Sequence, residues 1–252
     1  MNRIGEANGQ SSLAKPLAGK VVLVTGGNRG IGKAIAGKLA SLGADLSICG
    51  RDEESLQRAA SAIESAGVRV HAQRADVTRD RDVAALVQAT EKKLGPISIL
   101  VNNAGIGMFG PVQEKSEEEW DRVLDTNLKG VFLVSRAVAP GMIARKGGDI
   151  INISSLAGKN TFAGGAIYCA SKWGLLGFTG CMAEDLRGFG IRVSAICPGS
   201  VATEFAGREP KDASKVLTAE DVAHAVGMLV TQGPQSFISE VQLRPVAKSS
   251  GK

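Results

Sequence analysis

The sequence predicts an α/β fold: a doubly wound, mostly parallel sheet of about seven strands with helices on both faces. Three observations point there. Short β-branched apolar runs alternate with helical patterns about six times along the chain, the arrangement of a parallel sheet covered on both sides. Glycine is abundant, 32 of 252 residues, and aromatics are few, at 4%. That balance suits tight strand-to-helix turns better than an aromatic-rich sandwich. Finally, apolar residues make up 44% of the chain, enough for one sizeable core and too many for a disordered polymer.

The elements follow in order. Val21-Val22-Leu23-Val24 opens as a strand, and Ile31, Ala34, Ile35, Leu39 and Leu42 then hold one helical face up to Gly43. Residues 46–49 read as a second strand. Leu56, Ala59, Ala60 and Ile63 form a helix stopped by Gly67. Residues 68–75 are a third strand, polar enough to sit near an edge. Val83, Leu86, Val87, Thr90 and Leu94 share a helical face that Gly95-Pro96 ends. Residues 97–101 are the fourth strand. Ser116-x-x-Glu119 is a capping box opening a long helix. Residues 150–153 and 191–196 are further strands, with a helix over 167–187 between them. Thr218-x-x-Asp221 opens the last helix, and 237–243 closes the chain as a strand. No linker divides residues 18–245, so they read as one domain. Residues 1–17, polar and rich in Gly, Ser and Asn, read as a mobile tail lacking the apolar stretch of a signal peptide. Residues 246–252 read as a C-terminal tail.

Several function classes are excluded early. The net charge is +5, but Arg3, Lys15 and Glu6 leave the first 19 residues at +1, and Arg244, Lys248 and Lys252 put +3 on the last nine. The body is therefore nearly neutral, a poor footprint for nucleic acid. No apolar run approaches the ~18 residues of a membrane span. Cys49, Cys169, Cys181 and Cys197 show no metal spacing with His71 or His224, so no metal site is expected and a reducing cytoplasm is the natural setting. Trp120, Phe132 and Trp173 lie in helical apolar patterns and read as core or subunit contacts.

The chemistry concentrates in five places. Thr25-Gly26-Gly27-Asn28-Arg29-Gly30-Ile31-Gly32 joins the first strand to its helix. Its glycines let backbone approach a pyrophosphate at the helix N-terminus, where free N–H groups and the dipole favour anions. The second strand ends at Cys49-Gly50-Arg51, where a carboxylate suits NAD and an arginine suits the 2′-phosphate of NADP. Arg51, with Arg29 in the glycine loop, favours NADP(H), unless Asp52 faces the ribose instead. Tyr168 and Lys172, four apart on a helix, share one face, and a nearby ammonium lowers a phenol's pKa. Ser154-Ser155 stands thirteen residues before Tyr168 at a strand end. Asn127 shares the apolar face of Leu124, Leu128 and Val131, so it is expected to be buried and partnered.

Together with Asp76-Val77, Asn102-Asn103-Ala104-Gly105 and Pro198-Gly199-Ser200-Val201-Ala202-Thr203, these motifs make the sequence resemble the short-chain dehydrogenase/reductase family over about residues 18–245. The type it most resembles is an NADP-preferring carbonyl reductase on a Rossmann-like domain. The resemblance implies that Tyr168 is the acid/base, Ser155 rather than Ser154 orients the carbonyl, and Lys172 tunes Tyr168 and holds the ribose. It makes Asn127 part of a proton relay, with a purely structural amide as the other reading. It assigns Gly26, Asn28, Arg29, Gly30, Ile31 and Arg51 to the cofactor's phosphates and ribose, and Asp76 and Val77 to the adenine. Asn103, Ala104, Gly105, Pro198, Gly199, Val201 and Thr203 would meet the nicotinamide side. Asp76 as a local cap before Thr78, and Asn102 as a tie between strands, remain open. The family also implies a homotetramer or homodimer paired through the Ser116 and Ile167 helices.

Substrate choice is less legible. Residues 204–217, the segment that shapes the pocket in this family, are short and suggest a partly open site for a small ketone, aldehyde or 3-hydroxy/3-oxo acid. The ending Phe237-Ile238-Ser239-Glu240-Val241-Gln242-Leu243-Arg244-Pro245 lacks a Gly-Gly pair, which speaks against a 3-oxoacyl carrier-protein reductase. An NAD-dependent alcohol dehydrogenase and a non-catalytic NADP sensor are the other readings.

Overall fold

A computed structural model describes residues 15–205, 212 and 215–247. The chain begins its winding with β1 (Val21–Thr25), α1 (Gly30–Ser41), β2 (Asp45–Gly50), α2 (Glu53–Glu64), β3 (Val70–Arg74) and α3 (Asp80–Leu94). It then crosses to β4 (Ile97–Asn102), α4 (Glu117–Leu124), α5 (Gly130–Arg145), β5 (Gly148–Ile153), α6 (Ala166–Arg187), β6 (Ile191–Pro198), α7 (Ala219–Val230) and β7 (Glu240–Leu243). The seven strands lie in the order β3-β2-β1-β4-β5-β6-β7, and every pair is parallel. The winding reverses between β1 and β4. Strand ends diverge there, which is where open α/β sheets bind ligands.

Period-two alternation builds two apolar layers. Val22 and Val24 of β1 face a cluster with α1, α2 and α7, including Ile35, Leu39, Leu56 and Val226. Val21 and Leu23 face the opposite cluster, with Val83 and Leu86 of α3, Val138 and Met142 of α5, and Met182 of α6. In β4 the alternation slips. Ile97 and Leu100 both join the second cluster, because the β1–β4 register shifts between Val21 and Val22.

Local chemistry explains most boundaries. Ser116 and Glu119 form the capping box reciprocally, as do Thr218 and Asp221. Gly95 ends α3 at φ +107°. The helix opened by Ser116 runs to Arg145 but contains a π-helical turn at Asp125–Lys129, a break that period counting did not anticipate. Two boundaries need correction. Leu17, assigned to the tail, is buried in the first cluster, and its N–H donates to the Leu42 carbonyl at 2.9 Å. The last strand spans only Glu240–Leu243, half the expected length, because it pairs β6 from Ala195 onward. Residues 1–14 and 248–252 of the expected tails lie outside the described residues. Among the described residues, no helix is long and apolar enough to cross a membrane.

Candidate active site

The glycine loop follows β1 directly. Gly26 and Gly30 sit at φ +65° and +50°, the left-handed region where a side chain is strained. At Gly32 a Cβ would lie 2.1 Å from the Gly26 carbonyl oxygen and 2.4 Å from Asn103 Nδ2, so only glycine lets the helix start so close to the strand. Arg29 at the N-cap of α1 makes no side-chain cap, and the first turn carries no acid. The end of this helix therefore keeps its N–H groups and positive dipole uncommitted to side chains, which fits an anionic group. Ile31 packs beneath it against the first cluster.

β4 ends against this loop. The N–H groups of Asn103 and Ala104 donate to Thr25 Oγ1 at 3.0 and 3.1 Å. Asn103 Nδ2 donates to the carbonyls of Thr25 and Gly26 at 3.0 and 3.2 Å. The Asn103 amide, expected on the nicotinamide side, is thus turned onto the glycine loop, leaving Ala104 and Gly105 to border the opening. Asn102 ties strands, donating to Asn152 at 2.9 Å and to Ser135 at 3.0 Å.

At the β2 tip, Asp52 caps α2 by accepting from the Ser55 N–H at 2.9 Å. The Ser55 hydrogen bonds and nearby positive charges hold its carboxyl below the usual range. It is spent on the helix, and Arg51 is the exposed group at the tip. Arg74 Nε donates to the Arg51 carbonyl at 3.0 Å, adding a guanidinium that the sequence reading missed. Asn28 donates to Ser55 Oγ at 2.9 Å and lies against Gly50. Arg29 meets Glu204 at 3.4 Å in an exposed ion pair, rather than converging with Arg51. Asp76 accepts from the Thr78 N–H and hydroxyl at 3.0 and 2.8 Å. Burial pushes its carboxyl up, but these bonds and the Arg51 and Arg79 charges bring it below its ordinary value. Asp76 is therefore a local cap as well as a rim residue. Val77, expected at the adenine, instead packs into the second cluster, against the Gly130 backbone.

Beyond β5, the two serines diverge. Ser154 is buried, and its hydroxyl donates to the Lys172 carbonyl at 3.4 Å. Ser155 accepts from the Ala157 N–H at 3.1 Å and stands close enough to Tyr168 to favour its phenolate. Lys172 is buried and donates to the Ile153 carbonyl at 2.9 Å, with Nζ 5.8 Å from the Tyr168 ring centroid. The expected lowering of the phenol does not appear in the protein alone. Burial pushes Tyr168 up to about 12, only partly countered by Ser155, and burial brings Lys172 down to about 8. Desolvation dominates both shifts, because burial denies each charged form its stabilisation by water.

Asn127 occupies the π turn, a distortion often found at functional sites. Its Oδ1 accepts from the Ile106 N–H at 2.8 Å, and its Nδ2 donates to the Ile106 carbonyl and to Ser171 Oγ at 2.9 and 3.0 Å. A Cβ on Gly105 would lie 3.3 Å from Asn127 Oδ1 and 3.8 Å from Lys172 Nζ, so the missing side chain leaves both atoms bordering one space. After β6, Pro198 accepts from Ser155 at 3.5 Å, and the Gly199 N–H donates to Leu243 at 2.9 Å. Val201 bridges to Leu217, and Thr203 approaches Gly30. The expected pocket segment is described only in part, since residues 206–211, 213 and 214 lie outside. Phe109 and Phe205 against Tyr168, and Phe162 against Phe109, were also missed. They stand in loops, where no period marks them.

With this geometry in view, the class is clear. Residues 20–214 match the family model described as short chain dehydrogenase, and the chain belongs to the short-chain dehydrogenase/reductase family of oxidoreductases. It is 34% identical over 235 residues to 2-(S)-hydroxypropyl-CoM dehydrogenase 3 of Xanthobacter autotrophicus, covering 87% of this chain and 92% of that protein. It is also 34% identical over 241 residues to glycine betaine reductase ATRR of Emericella nidulans, 91% of this chain but 19% of that much longer protein. A metagenomic short-chain oxidoreductase solved with NADP matches at 44% identity and TM-score 0.82, over 92% of this chain and 100% of that one.

Tyr168 is the chain's single tyrosine, so tyrosinate absorbance reports this phenol alone. In the folded, nucleotide-free protein its ionisation is expected near pH 12, and in urea near ~10. A phenol whose folded pKa is raised stabilises the fold fully below pH ~10, and that contribution is lost as pH rises toward the folded value. A folded midpoint at or below ~10 would mean that the Lys172 charge outweighs burial.

Proposed function

We propose that this chain is an NADPH-preferring carbonyl reductase of the cytoplasm, interconverting a carbonyl and a secondary alcohol. The observation that carries the reading is the meeting of Tyr168, Ser155 and Lys172 where β5 ends and α6 begins, across from the glycine loop. Tyr168 holds its proton at neutral pH and gives it to the carbonyl oxygen; the reverse step returns it. Ser155 orients that oxygen through its hydroxyl. Lys172 keeps positive charge beside the phenol, so that charge developing on the phenolic oxygen is stabilised. Asn127 borders the space beside Gly105, where a water could carry the proton onward to Lys172. Ala104, Gly105, Pro198, Gly199, Val201 and Thr203 frame the nicotinamide end, and the glycine loop with Asn28 and Ile31 holds the phosphates. When bound, the nicotinamide supplies or accepts the hydride.

The preference for NADPH rests on Arg51, with Asp52 committed elsewhere and Arg74 alongside. Arg29 can join them, because an exposed pair such as Arg29–Glu204 contributes at most about 1 kcal/mol and yields readily to a phosphate. For assembly, the proposed partner is a second copy of this chain, forming a homodimer or homotetramer. Trp120, Phe132 and Trp173, read as core or contact, are exposed. Phe132 also lines a groove of about 420 Å³ between the long helices, with Leu124, Asp125, Leu128, Lys129, Gly174 and Phe178. Water against such a face is removed by a second copy.

Three outcomes test this. Tyr168→Phe should keep its fold and NADPH affinity yet lose turnover by roughly 100-fold or more; near-normal turnover would sink the mechanism. The ratio of kcat/KM for NADPH over NADH should fall from wild type to Arg51→Ala by about 10-fold, the value of one partly screened charge-assisted contact. It should fall further in Arg51→Asp. A wild type that already prefers NADH removes the cofactor assignment. Light scattering at micromolar concentration should give at least twice the 26.1 kDa chain mass; a stable monomer refutes the assembly.

A further inference from the structure

The chain has seven phenylalanines and one tyrosine; two of the seven meet that tyrosine's ring and a third packs on one of them, each from a separate loop. Phe109 follows β4 and meets the Tyr168 ring edge-on, with centroids 5.4 Å apart at 71°. Phe205 follows β6 and approaches the same ring at 5.8 Å. Phe162, between β5 and α6, lies 5.9 Å from Phe109. These are the separations of favourable aromatic pairs. Glycines make room for the rings. A Cβ at Gly107 would lie 2.7 Å from Phe205 and 2.9 Å from Phe109, and one at Gly165 would lie 2.6 Å from Phe162. The Gly110 N–H donates to the Gly164 carbonyl at 2.9 Å, tying two of the loops together.

These rings are not ordinary core. Phe162 is 50% exposed and Phe205 39% exposed, while Tyr168, against Phe205 and Phe109, is buried. Apolar surface left open to water beside a reactive phenol is what a ligand covers. Among the described residues, two nearby lysines are already paired with carboxylates. Lys115 pairs with Glu119 and Lys159 with Glu240. Glu204 stands next to Phe205 and repels a carboxylate entering along that loop.

We infer that Phe109, Phe162 and Phe205 form an aromatic cage selecting ring-bearing apolar carbonyl compounds, aryl or alicyclic ketones, over small aliphatic ketones and 3-oxo acids. This rests on the reductase reading and narrows its substrate class. A ring stacks among the three phenyl groups while its carbonyl reaches Tyr168 and Ser155. The reaction is the one already described: the carbonyl carbon gains hydride, the C=O π bond breaks, and the oxygen takes the Tyr168 proton.

The test uses four ketones with NADPH and with NADH: acetophenone, cyclohexanone, 2-butanone and acetoacetate. Binding of acetophenone to the nucleotide-free protein is followed separately by saturation-transfer NMR. In wild type, kcat/KM for the ring ketones should exceed that for 2-butanone and acetoacetate by roughly 10-fold or more. Phe205→Ala replaces an exposed ring, so the fold survives. It should bring that ratio to within about 3-fold of unity and weaken acetophenone binding, whereas Phe205→Tyr should retain both. Equal kcat/KM across the four ketones, a preference for acetoacetate, or a ratio unchanged in Phe205→Ala overturns the cage while leaving the reductase reading in place. Acetophenone bound in a Phe205-dependent way, with no ketone reduced by either nucleotide, supports the cage and overturns the reductase reading. Neither reduction nor binding overturns both.

Discussion

The architecture turns on how closely β1 and β4 can approach where the winding reverses. One hydroxyl, Thr25 Oγ1, takes two backbone donors from the β4 end, and one amide, Asn103, returns two bonds to the β1 end. This reciprocal knot satisfies backbone groups that would otherwise be stranded in a buried crossover. It also forces the glycine at position 32, whose missing side chain is the space Asn103 occupies. The start of α1 and the loop leading to Phe109 are therefore set relative to each other by the same few atoms. A shift in either would move both halves of the site.

A second set of buried polar links carries that order sideways. Asn102 reaches Asn152 and Ser135, and Asn152 reaches Thr179 on α6. The helix bearing Tyr168 and Lys172 is thus pinned to the sheet by hydrogen bonds as well as by packing, and directional bonds fix its rotation where apolar contacts alone would tolerate a slide. Lys172 is held in turn by the Ile153 carbonyl. An ammonium in such a place loses hydration, and its lowered pKa records that loss. It stays where it is because its backbone partner and its neighbours leave it no other direction.

The sheet was legible because buried parallel strands and amphipathic helices leave strong periodic signals, and glycines and capping boxes punctuate them. The adjacent serines, alike in the sequence, turn to different partners in the structure, Ser154 to the Lys172 carbonyl and Ser155 to the Ala157 N–H. What escaped was of another kind. Val77 and Asn103 sit inside matching motifs, yet their side chains serve packing and the loop, since a motif marks a position and not a direction. The phenol's raised pKa depends on burial, which no local spacing reveals. Leu17 looked like tail because a single apolar residue carries no period. Arg74 and the three phenylalanines are brought together by strand ends and loops distant in sequence.

The π turn at Asp125–Lys129 has a consequence for how this chain can vary. In a regular helix each residue advances the phase by ~100°, so losing one normally turns everything beyond it away from its contacts. A π turn is a single surplus residue already absorbed into the coil. Removing one residue there closes the coil into uniform α-helix while α5 keeps its orientation toward the sheet. The surplus that lifts Asn127 toward Ile106 would vanish with it. At this one place a chain one residue shorter keeps the phase of the helix and loses the bonds that Asn127 makes with Ile106.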